Sequence, residues 1–126
     1  MDYDKLLIMA RQAMEKAYCP YSKYRVGAAL LTEDGRVYTG CNVENASYGA
    51  TICAERTAAV KAVSEGSVRF KAIAIVSSSG DKTFPCGICR QFLSEFMCRD
   101  GVVVVEDSQG YYIYEFASLL PEQFVL

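Results

Sequence analysis

Between residues 3 and 18, Leu6, Leu7, Ala10, Ala13, Met14 and Ala17 recur at helical spacing with charged residues between them, until "CPYS" breaks the pattern. This predicts an amphipathic first helix. "YRVGAALLT" and "RVYTGCNV" then flank "EDG", two apolar segments around an Asp-Gly turn, which reads as a β-hairpin. "ENASYGAT" has no periodicity and is expected to be a loop. The alanine-rich run from Cys53 to about Val63 predicts a second helix ended by "SEGS". "FKAIAIVSSS" is a β-branched apolar run suited to a buried central strand, and a third helix is expected from about Gly87 to Met97. "VVVVED" and "YYIYEF" around a turn containing "SQG" predict a second hairpin, and "ASLLPEQF" a short closing helix and tail. Three helices alternating with about five strands point to an α/β fold, a mixed five-stranded sheet flanked by helices on its faces.

The 126 residues suffice for one domain with a real core, so a single domain spanning 1–126 is expected. A hydrophobic share of 52% fits a folded soluble chain, while no apolar run approaches the roughly 20 residues of a membrane span. The first residues, "MDYDKLLIMARQAMEKAY", lack the charged-then-apolar layout of a secretory signal, so a reducing cytoplasmic setting is expected. In that setting six cysteines suggest metal or catalytic roles before a disulfide framework. Cys19, Cys41 and Cys98 have no ligand-like spacing and are expected in the core. A net charge of -2 argues against a polynucleotide phosphate partner and suits a neutral small molecule.

The remaining cysteines carry the chemistry. Cys86 and Cys89 are three apart at the start of the third predicted helix, behind Pro85, which suits a first helical turn. Cys53 stands at the start of the second. Helix starts favour thiolates through their free N–H groups and partial positive charge, and three converging thiolates would bind zinc with a fourth position open. The chain contains no histidine, so acid-base work falls to a carboxylate, and Glu55 is the nearest. Residues two apart on a regular helix face different sides, so Cys53 must lie at or before the first turn for both groups to meet one metal. An open zinc site brings the pKa of water down to about 7. Three thiolates leave that ion with a net negative charge, which Arg56 can offset by donating hydrogen bonds to sulfur. A lone C-x-x-C is more often a redox pair or half a structural zinc site, and it is the Cys-Ala-Glu at a second helix start that favours catalytic zinc.

Together these segments resemble the zinc-dependent cytidine deaminases of the small homotetrameric type, whose wider class pairs Cys or His before Ala-Glu with Pro-Cys-x-x-Cys. The resemblance runs through "YCPYSKYRVGAALLTEDGRVYTGCNVENASYG", "CAERTAAVKAVSEG", "PCGICRQFLSEF" and "LLPEQF". It implies a three-layer α/β/α fold, one zinc per subunit on Cys53, Cys86 and Cys89, and Glu55 as proton shuttle. It further implies Asn42 and Glu44 on the ribose, the Ala54 N–H on the base, and Arg56 compensating thiolate charge. Tyr24 takes the place of an aromatic residue, often phenylalanine, lining the base pocket, and Phe124 resembles a ring supplied by a neighbouring subunit of a homotetramer. The implied activity is hydrolytic deamination of cytidine and 2'-deoxycytidine in pyrimidine nucleoside salvage. Deamination of another cytosine nucleoside such as blasticidin S, and a zinc-stabilised module without chemistry, are the alternatives.

Overall fold

The structure, a computed structural model, describes residues 2–126. Asp2 caps the first helix, α1 (Tyr3–Met14), its carboxylate accepting from the Asp4 N–H at 2.9 Å. Leu6, Leu7 and Ala10 form its buried stripe. The helix stops four residues earlier than the apolar spacing predicts. Arg25 Nη1 donates to the carbonyls of Glu15 and Ala17, each at 3.1 Å, and the Tyr18 N–H turns to the Asn42 carbonyl at 3.0 Å. A distant guanidinium thus ends the helix and sends the chain to pair with Val43.

The predicted hairpin is present as β1 (Val26–Thr32) and β2 (Val37–Cys41), with Gly35 at φ +87° in the turn, where a side chain would be strained. Next come α2 (Ala54–Ser64), β3 (Phe70–Ser77) and α3 (Gly87–Ser94), then the hairpin β4 (Met97–Asp107) and β5 (Gly110–Glu115). The sheet order is β2-β1-β3-β4-β5, with β3 and β4 parallel and every other pair antiparallel. The sheet is therefore mixed, and β3 is its central strand, as its apolar run predicts.

Alternation along the strands builds two cores. Ala28, Leu30, Ile73, Ile75, Val103 and Val105 face α2 and α3, whereas Ala29, Leu31, Ala72, Ala74, Val76 and Val104 face α1. This is the three-layer α/β/α arrangement. Gly40 lets α2 lie directly on β2: a Cβ there would come within 2.6 Å of the Ala54 carbonyl oxygen and 2.5 Å of the Ala58 nitrogen. Gly27 admits α1 on the opposite face in the same way.

Three expectations need correction. The third helix ends at Ser94, because the Phe96 carbonyl accepts from the Phe70 N–H at 2.9 Å and Met97 already pairs with Phe70 in the sheet. β4 accordingly starts five residues before its valine run. The closing "ASLLPEQF" forms only a 3-10 turn, Phe116–Leu119, ahead of Pro121, which cannot continue a helix. Cys19 and Cys98 are buried, but Cys41, on the edge strand β2, is only half-buried. Among the described residues no helix is long and apolar enough to cross a membrane.

Candidate active site

Cys53 is the N-cap of α2, in extended backbone conformation at φ -74° and ψ 157°, and Glu55 follows in the first turn. That break from helical geometry lets residues two apart serve one centre. The Cys53 carbonyl is held by the Thr57 N–H at 3.0 Å and hydroxyl at 3.1 Å. Cys86 is likewise the extended N-cap of α3, its carbonyl accepting from the Arg90 N–H at 2.9 Å, and Cys89 lies in the first turn. Arg90 Nε also donates to the Pro85 carbonyl at 2.7 Å, steadying the approach to Cys86.

Because α2 and α3 pack on one face of the sheet, their N-termini bring the three sulfurs together, all within 4.8 Å of one another. Cys53 Sγ and Cys86 Sγ are 3.9 Å apart. Tetrahedral zinc with bonds of about 2.3 Å sets its sulfurs about 3.8 Å apart, so the spacing fits that ion. Cys89 is buried, Cys53 half-buried and Cys86 exposed, so the cluster opens to one side. No fourth cysteine, aspartate or glutamate joins it among the described residues.

The electrostatics suit a metal as well. The hydrogen bond with Cys89, aided by Arg56 and Cys86, outweighs burial and brings the Cys53 thiol down to about 5. Cys89, holding the shared proton and buried, is pushed far up. Arg56 Nη2 donates to Cys53 Sγ at 3.6 Å, while its buried Nε has no hydrogen-bond partner among the described residues. Burial opposes the charge of Arg56, but the neighbouring sulfurs outweigh it. Glu55 is 4% exposed, and burial pushes its carboxyl up to about 7. A buried carboxyl raised toward neutrality thus lies two residues after the cysteine that caps α2.

The polar positions meet this corner through a two-way bridge, Val43 N–H to the Ile52 carbonyl and Ile52 N–H to the Val43 carbonyl, both at 3.0 Å. Asn42 and Glu44 therefore flank a residue paired with the one preceding Cys53. Asn42 is buried; its Oδ1 accepts from the Val26 N–H at 2.9 Å and its Nδ2 donates to the Tyr24 carbonyl at 2.8 Å. Glu44 accepts from the N–H groups of Tyr21 and Ser22 at 3.0 and 3.1 Å and from the Ser22 hydroxyl, and these bonds, the hydroxyl's first, hold its carboxyl below the usual range. Tyr21, Ser22, Glu44, Asn45, Tyr48 and Thr51 line a cleft of about 410 Å³. Ala54 is fully buried at the first position of α2, where helical N–H groups lack intrahelical acceptors.

Tyr24 is part-exposed, its hydroxyl 3.4 Å from Thr83 Oγ1. Phe124 stands apart: its carbonyl accepts from Gln91 Nε2 at 3.1 Å on α3, and the residue is 68% exposed. Sequence reasoning missed Gly40, Arg90 and the hydroxyls of Ser77, Ser79 and Thr83. "SSSGDKT" reads only as a polar loop, and nothing in it signals a neighbour 59 positions away.

Residues 1–106 match the family model described as the cytidine and deoxycytidylate deaminase zinc-binding region. A cytidine deaminase of Sporosarcina psychrophila is 55% identical over 96 residues, which are 76% of this chain and 71% of that protein. One from Halalkalibacterium halodurans is 51% identical over 110 residues, covering 87% of this chain and 83% of that protein. Among solved structures, the cytidine deaminase from Burkholderia pseudomallei superposes with a TM-score of 0.92 at 45% identity, over 98% of this chain and all of that one. The cytidine deaminase from Mycobacterium tuberculosis follows at a TM-score of 0.88 and 42% identity, over 100% and 99% of the two chains. With a sulfur cluster spaced for one zinc ion and this likeness along its length, the chain belongs to the cytidine and deoxycytidylate deaminase zinc-binding family.

Proposed function

We propose that this protein hydrolytically deaminates cytidine and 2'-deoxycytidine to the uracil nucleosides, releasing ammonia, with residues 1–126 acting as one domain. The observation that carries the reading is the buried Glu55 carboxyl beside three sulfurs spaced for zinc. Cys53, Cys86 and Cys89 hold the ion, which when bound supplies Lewis acidity that brings water toward ionisation near neutral pH. Glu55 accepts a proton from the attacking water and delivers it to ring N3 as C4 gains the hydroxyl. It then takes the remaining proton from the C4 hydroxyl and passes it to the amino group, so that the C4 carbonyl forms as the C4–N bond breaks and ammonia leaves. Burial raises the Glu55 carboxyl above the ordinary carboxylate range, which favours its holding the proton between the two transfers.

Arg56 offsets the thiolate charge, and the Ala54 N–H meets the base. Asn42 and Glu44 bind the ribose with the lone pairs and N–H that their internal bonds leave free, since a carboxylate offers about four acceptor sites and an amide two donors. Tyr24 lines the base pocket, and Phe124 stacks on the pyrimidine bound by a neighbouring subunit. That last role requires the homotetramer. The exposed Ile88, Tyr48 and Phe124, at 66%, 78% and 68%, are side chains that assembly would cover. Free cysteines throughout suit a cytoplasmic location.

The deciding experiment follows cytidine, deoxycytidine and blasticidin S to their uracil products, with bound zinc measured and Glu55→Gln in parallel. The expected result is turnover of the two nucleosides, with activity in the variant reduced by about 10³-fold or more at unchanged zinc. Retained turnover in Glu55→Gln overturns the proton-shuttle role, and turnover of blasticidin S alone overturns the substrate.

A further inference from the structure

Tyr24 is the point where the polar loop meets the segment leading to the sulfur cluster. Its N–H donates to Ser22 Oγ at 3.0 Å, and Ser22 in turn donates to Glu44. Its carbonyl accepts from Asn42 Nδ2 at 2.8 Å. Its hydroxyl faces Thr83 Oγ1, three residues before Cys86, at 3.4 Å. Thr83 belongs to a hydroxyl cluster: its Oγ1 donates to Ser77 Oγ at 2.6 Å, and Ser77 and Ser79 are 2.8 Å apart. The Asp81 N–H closes the chain by donating to Ser79 Oγ at 3.1 Å.

We propose that the Tyr24 hydroxyl is a positioning device, anchoring the half-exposed ring to the Thr83–Ser77–Ser79 cluster and so orienting it toward the base. The proposal rests on the deaminase reading above. A hydroxyl has one proton, and that of Thr83 goes to Ser77 or to the Asp81 carbonyl at 3.1 Å, so toward Tyr24 it accepts and the phenol donates. Tyr24 is 41% exposed, so packing alone does not enclose its ring. Phenylalanine would supply the same ring without the donor, freeing its rotation and leaving Thr83 a partner short.

The platform itself is well held. The Arg25 N–H donates to Ser78 Oγ at 3.0 Å, and the Ser78 N–H returns a bond to the Arg25 carbonyl at 2.9 Å. Lys82 Nζ lies 3.7 Å from the centre of the Tyr112 ring, and Phe84 packs edge-on against Tyr114 with centroids 5.1 Å apart. A held platform and an exposed side chain joined to it by one hydroxyl contact are what an anchor requires.

The test is a double-mutant cycle on the zinc-loaded protein with Tyr24→Phe, Thr83→Val and both, assayed with cytidine. Each single variant is expected to raise KM about three- to tenfold, the worth of one immobilised side chain, while kcat changes less than about twofold. The double variant should be no worse than either single, because both remove one interaction. An unchanged KM in Tyr24→Phe, or effects that multiply in the double variant, overturns the proposal. Hydrogen exchange on the same four proteins supplies an arm independent of turnover. Amides of 22–26 and 79–86 are expected to exchange faster in both single variants, and exchange equal to the parent's overturns the anchor. Failure of the parent to turn over cytidine sinks the deaminase reading, and exchange then decides the anchor alone.

Discussion

The thiolate corner and the polar loop beside it are joined by the Val43–Ile52 bridge, yet they are built on opposite principles. In the loop, Asn42 and Glu44 spend their polar atoms on backbone groups of residues 21–26 and, for Glu44, on the Ser22 hydroxyl as well. In the corner, one thiol is pulled down, another pushed up, a carboxyl is raised to about 7 and a guanidinium nitrogen is left unpartnered among the described residues. A satisfied network stiffens and shapes a surface, whereas an unsatisfied one is poised for an ion and for moving protons. The two regions are separated along the chain by only the residues between Glu44 and Cys53.

The sharpest way to break this contrast is Cys89→Ser. Cys89 is the buried member of the cluster, and its loss is expected to remove zinc and lower activity by about 10³-fold or more, read by metal analysis and nucleoside assay. Full zinc and activity in that variant would mean that Cys89 is not a ligand and that the corner does not hold the ion through three sulfurs. A smaller effect concerns Glu55 in metal-free, reduced protein. Its folded pKa of about 7 lies above the ordinary 4.5, so the folded state keeps a proton that the unfolded chain has lost, and this contribution to stability fades as pH rises from 4.5 through 7. Cys53, lowered from 9 to about 5, acts in the opposite sense, losing its contribution as pH falls through 5. Comparison of parent with Glu55→Gln by urea unfolding isolates the carboxylate. The variant should gain relative stability between pH 4.5 and 8, by up to about 3 kcal/mol; a difference flat with pH would show that Glu55 is not held in a protonated, buried state.

Smallest is Asn42→Ala, which orphans the Val26 N–H and the Tyr24 carbonyl. A loss of about 1–3 kcal/mol is expected in the same unfolding assay, with zinc retained in full. Zinc loss on that substitution would join the two regions into one unit.

What the sequence determined by itself is local or periodic. Apolar alternation and helical spacing placed the strands and helices, and the Cys-Ala-Glu and Pro-Cys-x-x-Cys spacings singled out the ligand candidates, because one turn of helix or one step of strand sets where neighbours point. The ends of elements were less legible. α1 stops at Met14 because Arg25 takes the carbonyls that follow, and α3 stops at Ser94 because Phe96 bonds Phe70. Only the tertiary structure decided that α2 and α3 share a sheet face and so bring Cys53 within 3.9 Å of Cys86, 33 positions on. Packing likewise buried Glu55 and set Thr83 opposite Tyr24. Burial and convergence depend on which residues, far apart along the chain, the packed layers bring together, and no spacing within one short segment encodes that.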